Sequence, residues 1–162
     1  VRKPAAAQPA AAQASPAKSA GAALDFDPAV KEAIADVRHD GTETNWVLVG
    51  YADKAKINVV ATGTGGADEL AQHLDHSQVL YGLIRVVEII DASTTIKFVL
   101  ITWLGDKVSP MTKARMSTHK GAIEAALHPY HVALFTTNAA EVNEAAIKLL
   151  VGKTSMAHSN VK

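Results

Sequence analysis

The chain has 162 residues, no net charge at neutral pH, 48% hydrophobic and 20% charged residues, and no cysteine. That length and apolar content allow one globular domain with its own core. Disulfides, thiolate nucleophiles and cysteine-built zinc or iron–sulfur sites are excluded, and no apolar run approaches the roughly eighteen residues needed to span a bilayer.

The neutral total conceals a polarised chain. Residues 1–24 carry only the bases Arg2, Lys3 and Lys18. Residues 25–91 hold five bases against twelve acids, whereas 92–123 hold Lys97, Lys107, Lys113, Arg115 and Lys120 against Asp106 alone. A basic zone within a neutral protein suits an acidic partner surface better than nucleic acid. Residues 1–24, with eleven alanines and three prolines, have no hydrophobic period and no compact apolar block of the kind a signal peptide needs. Their prolines break any helix, so a disordered tail or linker is expected there.

Order is expected from Leu24. Asp27-Pro28 reads as an N-cap and N1 proline, and Val30, Ile34 and Val37 then predict an amphipathic helix over 28–39, stopped at Asp40-Gly41. Residues 45–51 and 56–62 predict a hairpin turning at 52–55. After the breaker Gly63-Thr64-Gly65-Gly66, residues 67–74 predict a short helix with Leu70 and Leu74 inward. Two longer strands, 79–90 and 95–104, are apolar on both faces, as in central strands covered on both sides. Ser109-Pro110 opens a helix running to Leu127, with Met116, Ile123 and Leu127 as its inward stripe. His128-Pro129 stops it, and 132–136 is a short strand. Asn138 is expected to cap a last helix over 139–151 with Val142, Ala146 and Leu149 inward. Gly152 is expected to end it and leave 152–162 as a flexible tail. The fold class is thus α/β (α+β): one domain over 25–151, a mixed five-stranded sheet between two layers of helices.

Catalytic patterns are weak. His73 and His76 flank Asp75, and His128 and His131 flank Pro129, but neither pair has a third metal ligand at a supporting spacing. Gly63-Thr64-Gly65-Gly66 is followed by Ala67-Asp68-Glu69 rather than the lysine and hydroxyl residue of a phosphate loop. No serine sits in a GxSxG elbow. No enzyme, metal or cofactor is expected.

The basic zone is more informative. Lys97 interrupts an apolar strand, where its amine must reach water or an acid. Lys113 and Arg115 fall near the start of the helix opened by Pro110, where the helix dipole disfavours cations by about 0.3–1 kcal/mol each. No acid lies between Lys107 and Lys120, which points to an anionic partner. Lys113 and Lys120 share a helix face, whereas Arg115 lies about 200° round the wheel from Lys113.

The stretch Lys97-Phe98-Val99-Leu100-Ile101-Thr102-Trp103-Leu104-Gly105-Asp106-Lys107-Val108-Ser109 resembles the coactosin branch of the ADF/cofilin-homology family. So do Lys113-Ala114-Arg115 with Thr118-His119-Lys120, and Val37-Arg38-His39-Asp40-Gly41 with Trp46. The resemblance covers Leu24 to Val151. It implies an actin-binding module that holds the side of filaments through Lys97, Lys113, Arg115 and Lys120; Met111 and Met116 are expected as apolar neighbours of these contacts. It further implies a cytoplasmic, cytoskeletal monomer that neither inserts in membranes nor binds nucleic acid. A cofilin-like regulator that binds monomers and disassembles filaments, and a scaffold of the same fold without actin affinity, are the alternatives. The Ala/Pro-rich start and the turn Ser93-Thr94-Thr95-Ile96, where the family pattern is more basic, depart from the resemblance.

Overall fold

The protein is described by a computed structural model covering residues 24–160, with side chains through Lys153. The tail expected at 1–24 lies, apart from Leu24, outside the described residues. In chain order the elements are β1 (Asp25–Phe26), α1 (Pro28–Arg38), β2 (Trp46–Asp53), β3 (Lys56–Gly63), α2 (Gly66–Ala71), β4 (Val79–Ile90), β5 (Ser93–Leu104), α3 (Pro110–Leu127), β6 (Val132–Thr136), a 3-10 turn (Ala139–Glu141) and α4 (Glu144–Asn160).

The strands form one sheet in the order β1-β3-β2-β4-β5-β6. β2, β3, β4 and β5 pair antiparallel with their neighbours, while β1 on β3 and β6 on β5 are parallel. The sheet has six strands rather than the expected five. β1 is only two residues long, and no alternation can announce a strand that short.

Strand alternation divides the core in two. Val47, Val49, Val79, Tyr81, Leu83 and Leu100 face Val30, Ile34 and Val37 of α1 and Ile123 and Leu127 of α3. The intervening Trp46, Leu48, Leu80, Ile84, Val99, Ile101 and Trp103 face Leu70 of α2 and Ile147 and Val151 of α4. This explains why β4 and β5 are apolar on both faces: helices cover each side. The apolar run outlasts the cover, however. Val87, Ile89 and Ile90 are exposed, and the β4–β5 hairpin ends in a two-residue turn with Asp91 at φ 52° and Ala92 at φ 69°.

Local capping signals hold where they are short-range. Asp27 accepts a hydrogen bond from the Ala29 N–H ahead of Pro28, and Ser109 accepts from the Thr112 N–H ahead of Pro110. The last helix differs from expectation. Asn138 caps only the 3-10 turn, and α4 begins at Glu144. The Asn143 side chain there accepts from Ala146 N–H (2.8 Å), and Asp68 of α2 accepts from Glu144 N–H (2.9 Å). Val142, in non-helical backbone, still enters the core. The later start rotates the wheel, so Ile147 and Val151 face inward and Leu149 is exposed. Gly152 sits in ordinary helical backbone, and α4 continues through Asn160. An isolated helical glycine costs only about 1 kcal/mol, so the tail expected from 152 is helical over most of its length.

Candidate interaction surface

α3 presents its first turns to solvent with its dipole uncompensated. Its first turn has no acidic residue, Met111 is 71% exposed, and Lys113 is exposed. Between α3 and the β5–β6 margin runs a groove of about 440 Å³, with Leu104, Met116 and Phe135 among its apolar walls and Lys113 and Lys120 at its rim. The expected inward stripe is thus modified: His119, Ile123 and Leu127 are buried, whereas Met116 is half-buried in the groove wall.

The structure brings Lys113 and Lys120 together along this groove, as their spacing requires. Lys120 is partnered: its amine lies 2.9 Å from Glu124 one turn on, and the bond to that carboxylate raises its pKa. Arg115 stands on the other flank of α3, near Tyr51 and His119. His119 is 4% exposed, and its Nδ1 lies 2.9 Å from the Tyr51 hydroxyl. Burial, and then the Arg115 charge, hold its imidazole below the ordinary pKa. Sequence reasoning assigned His119 no role of its own. The signal was present, since it lies four residues before Ile123 on the inward stripe.

Lys97 does not join the α3 cluster. It is half-buried, opposite Val86 in the β4–β5 ladder, and shares the sheet face of Val99 and Ile101, which α2 and α4 cover. Leu104, at the Lys113 end of the groove, is seven residues further along β5, or roughly 23 Å. The basic positions therefore point in three directions from the domain.

Two arginines missing from the expected site organise its supports. Arg38 donates to the carbonyls of Leu127 (2.6 Å) and Pro129 (2.8 Å) at the end of α3, with its guanidinium 5.0 Å above the Phe98 ring. Arg85 donates to the carbonyls of Val37, His39 and Thr42 at the end of α1. Both satisfy helix-terminal carbonyls with a charge the dipole favours. A charge inside the apolar run of β4 was the sequence signal for Arg85.

The other candidates resolve structurally. His73 packs on Trp46 and His76 on Trp103, while His131 stacks on Phe98. Among the described residues no three metal-ligating side chains converge. In the glycine-rich turn, the Glu69 carboxylate accepts from Gly65 N–H (2.9 Å) and Trp46 Nε1–H (2.8 Å), bonds that lower its pKa. A Cβ on Gly63 would collide with that carboxylate. An internal anion thus occupies the cradle where a phosphate loop would hold phosphate.

The family model for cofilin/ADF proteins, described as cofilin/tropomyosin-type actin-binding protein, matches residues 23–151. The chain belongs to the cofilin/ADF family. It is 38% identical to coactosin of Dictyostelium discoideum over 127 residues, 78% of this chain and 87% of that protein. It is 32% identical over 132 residues to the drebrin-like protein of Mus musculus, covering 81% of this chain but only 30% of that longer protein. The solved coactosin from Entamoeba histolytica superposes with a TM-score of 0.76 at 25% identity, covering 83% of this chain and 99% of that one. Human coactosin-like protein gives 0.73 at 26% identity, covering 81% and 99%. These likenesses agree with the coactosin resemblance of the 97–109 and 113–120 stretches. The six-stranded mixed sheet with its four α-helices is the cofilin/ADF fold. No described helix is long and apolar enough to cross a membrane.

Proposed function

We propose that this chain binds the side of actin filaments and works without catalysis or cofactor. The observation that carries the reading is the N-terminal end of α3, whose first turn lacks any acid and which presents exposed Lys113 with Met111 beside it. An acidic partner surface would compensate both the cations and the helix dipole. Lys97 lies on the opposite sheet face, roughly 23 Å along β5 from the level of Lys113. Contacts so far apart suit a polymer, in which neighbouring subunits offer repeated surfaces, better than one monomer. Arg115 joins from the Tyr51 flank, and Lys120 contributes less because Glu124 already holds it. On this reading residues 25–151 are the binding domain, and the protein acts as a cytoplasmic, cytoskeletal monomer with no affinity for nucleic acid.

The test is co-sedimentation with filamentous actin at low salt, with wild type beside Lys97→Ala and Lys113→Ala. Wild type should pellet, and both folded variants should be depleted from the pellet. Retention of wild type in the supernatant would remove the reading. Loss of polymer mass on adding the protein would replace it with filament disassembly.

A further inference from the structure

We infer that the outer edge of β6, with the groove beside it, takes an extended acidic segment of another polypeptide by strand addition. This site lies apart from Lys97 but borders the filament contact proposed for the end of α3, with which it shares Lys113. Among the described residues β6 is the last strand of the sheet and pairs on one side only. Natural sheets guard such edges with charge, proline or brevity. The opposite edge follows that rule: β1 has two residues, one of them Asp25. β6 does not. Val132-Ala133-Leu134-Phe135-Thr136 carries neither charge nor proline.

The backbone orientation follows from one bond. His131 N–H donates to the Phe98 carbonyl at 2.7 Å. Backbone groups of successive strand residues point to opposite sides. Ala133 and Phe135 therefore turn theirs toward β5, and Val132 and Leu134 turn theirs outward. Phe135 projects on the groove side and is 58% exposed, beside about 440 Å³ of space walled by Leu104 and Met116. Tyr81 also lines that space, its ring edge-on to Tyr51. An added strand would place alternate side chains next to Phe135, where apolar ones fill the groove.

Charge selects the occupant. Lys113 stands at the rim, and Lys120 is held there by Glu124. A carboxylate on the added strand would pair with Lys113. A second copy of β6 would bring no acid on the added strand, so a heterologous acidic segment complements Lys113 where self-pairing does not.

The probe is a short synthetic peptide of alternating glutamate and leucine, titrated into the isotopically labelled full chain and followed by amide NMR shifts. Three controls accompany it: the peptide N-methylated at alternate residues in each of the two registers, an alternating lysine–leucine peptide, and the Phe135→Ser protein, whose mutated side chain is largely solvent-facing. Shifts should concentrate at 132–136 and on the groove side of α3. One methylation register should weaken binding about tenfold or more, as expected for loss of backbone hydrogen bonds, and the other should not. Phe135→Ser should weaken it similarly, and the lysine peptide should not bind. Absence of saturable binding at about millimolar peptide, shifts centred elsewhere, or indifference to methylation in both registers would overturn the proposal. So would a dimer in sedimentation velocity that Phe135→Ser dissolves, because the edge would then be occupied by a second copy.

Discussion

Reversing the charge at Lys113 should move stability and filament binding in opposite directions. Pro110 is the first helical residue of α3 and Ser109 its cap, so Lys113 sits at the fourth position, at the limit of the dipole's reach. Removing a cation there and adding an anion each contribute near the lower end of the dipole range, so Lys113→Glu should stabilise the domain by about 0.5–1 kcal/mol. For a domain of this size that corresponds to roughly 2–5 °C in Tm. Urea denaturation can follow it by tryptophan fluorescence, since Trp46 and Trp103 are both fully buried. In molar salt, where the Debye length falls to about 3 Å, the gain should largely vanish. The same substitution turns an attractive contact into a repulsive one, so co-sedimentation should show about a tenfold loss of filament affinity. A variant no more stable than wild type at low salt would refute the uncompensated dipole as the cost of these cations. A more stable variant that still pellets like wild type would remove the α3 end from the interface.

Three further outcomes follow from the buried and strained positions. His119 has a folded-state pKa below its ordinary 6.5, so the unfolded chain takes up this proton first. Its contribution to stability should be complete above about pH 6.5 and lost as the pH falls toward the lowered folded value, and urea midpoints against pH should flatten there in His119→Gln. Arg85→Met leaves the carbonyls of Val37, His39 and Thr42 without their donor and should cost about 2–4 kcal/mol in the same urea assay. Ala92→Gly relieves a left-handed residue at φ 69° and should stabilise the hairpin by about 1 kcal/mol, seen as a higher Tm with unchanged filament binding.

Features governed by neighbours along the chain were readable in the sequence. Asp27-Pro28 and Ser109-Pro110 announce α1 and α3 because a cap and an N1 proline act within one turn. Residues 79–90 and 95–104 announce strands because cover on both faces favours apolar residues over most of their length. Features chosen by tertiary packing were not. Asn138 and Asn143 are both competent caps, and α4 starts at the second because Val142 must reach the core and Asp68 reaches over from α2. The basic residues were likewise found one by one. Alternation could tell that Lys97 shares a face with Val99, but not that α4 covers that face while α3 covers the other. Only the register of the sheet separates them.

Arg38 has a mechanical consequence. It fastens the end of the first helix to the carbonyls of residues 127 and 129, closing a span of some ninety residues with a few side-chain bonds. A pull applied at the exposed start of α3 is thereby resisted at its far end by α1, and the two helices yield together rather than one peeling from the sheet. α1 is then part of what keeps the domain seated under tension, although it carries none of the residues proposed to touch the partner.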